Sequence, residues 1–152
     1  MKRVVDTSHF KNIREIREYH FGKFYFFNGL VIGELNEGIT FNWEMGKRAI
    51  DAAHEVFGKD LPIAYISNRI NKYYVVPADW SKFFSNRHQL LFYSVVGDTK
   101  GSFASLIMEK VFFGNTIKKF YDLEEAIEWS LKKIEVHRAT NQNGTSLSSD
   151  ME

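Results

Sequence analysis

The chain has no cysteine, which excludes thiol catalysis, thiolate zinc sites and a disulfide framework. It has almost no excess charge. Twenty basic residues against 19 acidic ones leave +1 with histidines neutral, too weak a field to favour nucleic acid or an acidic membrane. It also lacks a long apolar run, and no stretch reaches the roughly 18 to 20 apolar residues a membrane span needs. The beginning, Met1-Lys2-Arg3-Val4-Val5-Asp6, is basic but leads into Thr7-Ser8-His9 and Lys11, which does not read as a secretion signal. Together these absences predict a cytoplasmic chain that needs neither membrane nor nucleic acid. Asn143-Gly144-Thr145 fits a glycosylation pattern that such a chain would not use.

What is present is the material of one globular domain: 152 residues, 44% hydrophobic and 26% charged. A domain of that length buries roughly 70% of the surface its unfolded chain exposes, so no metal is needed to hold it. The clearest local signal is Asn28-Gly29 between Lys23-Phe24-Tyr25-Phe26-Phe27 and Leu30-Val31-Ile32-Gly33-Glu34-Leu35. Asn-Gly favours the two-residue turns that need φ > 0, so this is a hairpin. Counting back from the turn sets Phe27 opposite Leu30, Phe24 opposite Gly33 and Lys23 opposite Glu34. Both faces of each strand are apolar, which places the hairpin in a sheet covered on both sides. Arg17 to Phe21 reads as an extension of the first strand, with Gly22 as a bend or bulge.

Beyond Glu37-Gly38 the period changes to that of a helix. Asn42 can cap it, Gly46, Ile50, Ala53 and Phe57 point inward, and Gly58 stops it. Leu61 to Ile66 is a buried strand, Tyr73 to Val76 leads through Pro77 to a short helix over Asp79 to Phe84, and Gln89 to Val96 is the next strand. A helix from Ser102 to Phe113, a strand from Thr116 to Phe120 and a helix from Asp122 through Ile134 complete the pattern. A hairpin followed by four strand-helix units implies an α/β fold with a mixed, mostly parallel sheet built through right-handed crossovers. Residues 1–16 form an N-terminal segment, 17–134 a single domain, and 135–152 a tail too poor in apolar side chains to order itself.

This layout, with Ile-Ser-Asn-Arg-Ile-Asn at 66–71, Pro77-Ala78-Asp79-Trp80 and the closing Asp122-Leu123-Glu124-Glu125-Ala126-Ile127-Glu128-Trp129, resembles a bacterial branch of STAS-like domains. STAS denotes the domain shared by sulfate transporters and anti-sigma-factor antagonists. The resemblance spans 17–134. It implies a non-enzymatic binding or regulatory domain, similar in topology to the CRAL-TRIO lipid carriers. The antagonists' Asp-Ser-Ser-Gly phosphorylation motif is absent; Ser67 and Ser102 are the nearest serines, so the phosphoswitch is not carried over.

In parallel sheets ligands sit beyond the carboxyl ends of the strands. Two loops qualify, Ser67 to Tyr74 and Gly97 to Ser102, and both emerge at one end if their strands are parallel. The candidate ligand site is therefore Asn68, Arg69, Asn71 and Tyr73 with Lys100 and Ser102, suited to an anion or polar ligand. The plainer alternative has Asn68 and Asn71 satisfying turn hydrogen bonds and Arg69 paired with a surface carboxylate. Gly97-Asp98-Thr99-Lys100-Gly101-Ser102 lacks the order and span of a phosphate loop, and no acidic pair joins Asp98 to make a phosphoacceptor site. His9, His20, His54, His88 and His137 are scattered without an i,i+4 pair, so no metal or other cofactor is expected, and His54 reads as a surface residue. Glu34 would be a candidate general base were Lys23 not facing it.

Aromatics make 16% of the chain, and core packing accounts for them better than single-strand binding. Phe24 to Phe27, Phe83-Phe84 or Phe112-Phe113 are candidates for a surplus that covers a partner or a second copy. The expectation is a non-enzymatic STAS-like domain acting through protein or small-ligand binding. The alternatives are a carrier of an apolar, lipid-like ligand, which requires a cavity of several hundred cubic ångströms, and an enzyme with its site at the 67–74 and 97–102 loops.

Overall fold

The Asn28-Gly29 turn closes as its residue types dictate. Gly29 takes φ 81°, and the Phe27 N–H donates to the Leu30 carbonyl at 2.8 Å. The flanking strands, β2 (Gly22–Phe26) and β3 (Leu30–Leu35), pair antiparallel with Lys23 opposite Glu34 and Phe24 opposite Gly33. Gly33 is required there, because a Cβ would strike the Tyr65 hydroxyl and the Phe24 ring. The computed structural model of the chain describes residues 1–86, 90–97 and 117–150.

One strand differs from the expectation. Arg17 does not continue into β2: Glu15–Tyr19 forms its own strand, β1, folded back antiparallel on β2 with Tyr19 opposite Gly22. The turn at His20-Phe21 has no glycine, asparagine or proline to announce it. It is held from outside by Asn36, whose N–H donates to the Phe21 carbonyl at 3.0 Å and whose Nδ2 donates to the His20 carbonyl at 2.9 Å. Phe21 is fully buried and stacks on Tyr19 at 5.1 Å between ring centres.

Past β3 the chain makes β4 (Thr40–Phe41) and then α1 (Trp43–Phe57), capped by Asn42 Oδ1, which accepts from the Met45 N–H at 2.9 Å. Gly58, at φ 83°, ends the helix. Then come β5 (Ile63–Asn68), β6 (Tyr74–Val75), α2 (Trp80–Ser85), β7 (Leu90–Val96), β8 (Ile117–Phe120) and α3 (Leu123–Asp150). The main sheet has the order β1-β2-β3-β5-β7-β8, with β3, β5, β7 and β8 mutually parallel. β4 and β6 form a separate parallel pair. The fold is thus α/β, a mixed and mostly parallel six-stranded sheet flanked by helices. Lys100, Ser102, the helix expected over Ser102 to Phe113, Gln89, Thr116, His88 and Phe112-Phe113 lie outside the described residues.

The sheet is apolar on both faces because β2 and β3 carry large side chains at consecutive positions. On one face Tyr25, Leu30, Ile32, Ala64 and Ile66 meet Leu123, Ala126, Ile127 and Ile134 of α3. On the other Phe24, Phe26, Val31 and Leu35 meet Ala52, Ala53 and Phe57 of α1. Phe24 to Phe27 are therefore wholly inside the monomer, not a surplus for a partner. Phe83 also packs internally, on Phe41 at 5.6 Å.

The two ends bear on the expected boundaries. Val4 is fully buried, and residues Val4–Asp6 and Phe10–Asn12 form short 3-10 turns that lie against the domain. At the other end the backbone of α3 continues past Ile134, through the stretch expected to be a disordered tail, to Asp150. The first turn beyond Ile134 is anchored: His137 packs on Phe92 at 6.3 Å, and Arg138 Nη1 donates to Asn28 Oδ1 at 3.4 Å. No proline follows to break the helix.

Candidate functional site

β5 runs parallel to β7, so the loop after Asn68 and Gly97 lie at the same rim, and the Arg69 N–H donates to the Val96 carbonyl at 3.0 Å. The four described candidates separate there, because alternate residues of a strand face opposite sides. Asn68 turns to the α3 face. Its Nδ2 donates to Glu34 Oε2 at 2.7 Å and to the Lys2 carbonyl at 3.1 Å. Asn71 ties its own loop down, donating from Nδ2 to the Leu35 carbonyl at 3.0 Å. Arg69 and Tyr73 come together on the α1 face: Arg69 Nε donates to Ser67 Oγ at 3.2 Å, the Tyr73 hydroxyl meets the same oxygen at 3.0 Å, and the guanidinium carbon lies 5.6 Å from the Tyr73 ring centre.

Glu34 departs from the partner the register suggested. Lys23 stands opposite it in the ladder, but the carboxylate points inward, is buried, and accepts from the Val4 N–H at 2.9 Å as well as from Asn68. Both neighbours of Asn68 Nδ2 are acceptors, which fixes the amide's orientation and leaves the buried Oδ1 without a partner among the described residues. Burial pushes the Tyr25 phenol up to about 12, and the Glu34 carboxylate, by its charge and by accepting a hydrogen bond from the phenol, adds to the rise. Strapped across this cluster is the N-terminal segment. Ser8 N–H donates to Glu124 Oε1 at 3.1 Å and Lys2 Nζ pairs with Glu124 Oε2 at 3.3 Å, which together hold the Glu124 carboxyl below its ordinary value.

The α1 face holds a feature the sequence did not reveal: a pocket of about 340 Å³ between the sheet and α1. α1 is tied to the β1–β2 side of the sheet, where Glu55 binds Arg17 at 2.5 Å and Phe57 packs on Phe26 at 6.0 Å. The inner surface of α1 is small, with Gly46, Ala49 and Ala53, so space remains above β5 and β7. Val31, Leu35, Ile63, Tyr65 and Tyr93 form much of the floor, and Phe41 and Phe83 close one side. Its described polar or charged wall residues are His54, Lys59, Arg69 and Asn86 with the three tyrosines Tyr65, Tyr73 and Tyr93. His54, expected at the surface, is half-buried in this wall. Glycine and two alanines at 46, 49 and 53 on an inward helix face, opposite tyrosine-bearing strands, were the only trace of the pocket in the sequence.

Among the described residues no group of three or more histidines and carboxylates could hold a metal ion, and no helix is long and apolar enough to cross a membrane. No family model, no curated protein and no solved structure matches the chain.

Proposed function

We propose that this chain is a cytoplasmic, non-catalytic domain of STAS-like type that binds one small molecule of mainly apolar character between its sheet and α1. The observation that carries this reading is the pocket of about 340 Å³, lined largely by Phe, Val, Leu, Ile and Ala side chains. Native cores are packed to the density of organic crystals, with few voids larger than a water molecule. Small-molecule sites start at about 300 Å³ and combine an apolar wall with a few convergent polar groups. The pocket has that size and that composition, and its polar corner of Arg69 and Tyr73, both bonded to Ser67 behind them, sits where ligands of parallel sheets gather. Of the readings the sequence left open, the carrier of an apolar ligand is the one that requires such a space.

The test is titration with N-phenyl-1-naphthylamine, a neutral probe whose fluorescence rises in apolar surroundings. Saturable binding at one site per chain is expected. Ala49→Phe places a ring in the pocket and is expected to weaken binding at least roughly tenfold, as a filled site should, while circular dichroism confirms the fold. Probe binding that is not saturable, or that the folded Ala49→Phe variant retains in full, overturns the proposal. Native mass spectrometry of protein taken directly from its host would then weigh any molecule carried with it.

A further inference from the structure

The pocket gathers rings. Phe24, Phe41, Tyr65, Tyr73, Phe83 and Tyr93 are six of its 19 described wall residues, a larger share than the 16% that aromatics make of the whole chain. They come from β2, β4, β5, the loop before β6, α2 and β7, so it is the tertiary structure that brings them to one space. On the floor the Tyr65 and Tyr93 ring centres lie 5.5 Å apart with the planes tilted by 56°. At the side the Phe41 and Phe83 rings are stacked at 5.6 Å and 11°. Two glycines fix these groups. A Cβ at Gly33 would strike the Tyr65 hydroxyl and one at Gly46 would strike the Phe83 ring, so each ring occupies room that only glycine leaves. A wall set this closely is formed before a ligand arrives, which lowers the ordering cost of binding.

We infer that the ligand is a flat, fused-ring aromatic molecule that packs among these side chains, rather than a saturated chain or ring. The inference rests on the proposed reading of the pocket as a ligand site and adds the ligand's chemical class. Aromatic pairs attract beyond the area they bury, through offset stacking and edge-to-face contact, by a factor of about 2 to 10 in binding per pair. A saturated body of similar size sheds similar apolar surface from water and gains none of this. The shape of the space agrees. Gly46, Ala49 and Ala53 give α1 a smooth inner face above the ringed floor of Tyr65 and Tyr93, and a thin molecule fits between a smooth roof and such a floor.

The experiment displaces N-phenyl-1-naphthylamine from the full chain with 2-naphthol, decahydro-2-naphthol and decan-1-ol. All three are uncharged at neutral pH and carry ten carbons and one hydroxyl, so they differ in aromaticity and shape alone. The two saturated alcohols are at least as apolar as the naphthol, so transfer from water by itself gives the naphthol no advantage. 2-Naphthol is expected to displace the probe at concentrations roughly tenfold or more below either saturated alcohol. Tyr93→Leu and Phe83→Leu keep the wall apolar and should each narrow that gap at least about twofold, whereas Tyr74→Leu, at an exposed tyrosine outside the wall, should leave it unchanged. Equal displacement by all three compounds on the parent, or better displacement by a saturated one, overturns the inference while leaving the apolar site intact, and this comparison needs no variant to fold. A gap that both folded wall variants preserve in full also overturns it. If none of the three displaces the probe, or the probe does not bind, the reading of the pocket itself fails.

Discussion

Asn68 donates to Glu34 across two neighbouring parallel strands at 2.7 Å, and both side chains are buried. The pair links β3 and β5 by a side-chain bond beyond the ladder and gives the N-terminal segment its docking point, since Val4 and Lys2 bond to the same two residues. Asn68→Ala leaves Glu34 short of a donor and is expected to cost about 1–3 kcal/mol in urea unfolding at neutral pH. Asn68→Asp should cost more, because it sets a second carboxylate beside the first. One carboxyl of that pair then has a raised pKa, so the variant should recover stability on acidification from about pH 8 to about pH 5. A variant equally unstable at both pH values would refute the charge argument.

Tyr25 lends the fold an alkaline limit. Its phenol titrates at about 12 when folded and near 10 in an unfolded chain. An acid whose pKa is higher in the folded state contributes its full stabilisation below the unfolded value and loses it as pH rises through that value toward the folded one. Stability should therefore fall between about pH 10 and about pH 12. Tyr25→Phe is expected to start less stable, having lost a bond to Glu34, but to decline less over that interval. Equal declines in the urea midpoints of parent and variant would show that Tyr25 is not the group responsible.

Gly46 reverses a familiar rule. In a helix interior alanine usually gains up to about 1 kcal/mol over glycine. Here a Cβ would fall on the Phe83 ring, which is itself stacked on Phe41 and set edge-on to Trp43. Overpacking costs about 1–3 kcal/mol, so Gly46→Ala should lower the melting temperature despite its better propensity. A raised melting temperature would mean that the Phe83 ring yields freely.

How much of this was legible in the sequence depended on whether the signal was local. The Asn28-Gly29 turn fixed the β2–β3 register because two backbone positions needing φ > 0 leave few options, and Asn42 and Gly58 bounded α1 for the same kind of reason. Alternation of strands and helices gave the parallel sheet. The β1 turn was missed because its stabilising partner, Asn36, lies 16 residues from His20. Glu34 was misassigned because register places backbones, whereas the carboxylate was drawn inward by an amide 34 residues away and a backbone N–H 30 residues away. Of the candidate site, Arg69 and Tyr73 meet, while strand alternation sends Asn68 to the other face. The pocket depends on where α1 settles across the sheet, which contacts such as Glu55 with Arg17, 38 residues apart, decide.

The hydrogen bond from Ser8 to Glu124 joins positions 116 residues apart. Synthesis delivers residues 1 to 12 before Glu34, Asn68 and Glu124, so this segment is among the last to settle. The hairpin, by contrast, closes over short sequence distances, and such local contacts form fast while distant ones wait. Pulse-labelled hydrogen exchange during refolding should therefore protect the Phe27 amide well before those of Val4 and Ser8. The N-terminal segment, through the Val4 N–H and the Lys2 carbonyl, thus closes the Glu34–Asn68 cluster from a position that only long-range contacts can hold.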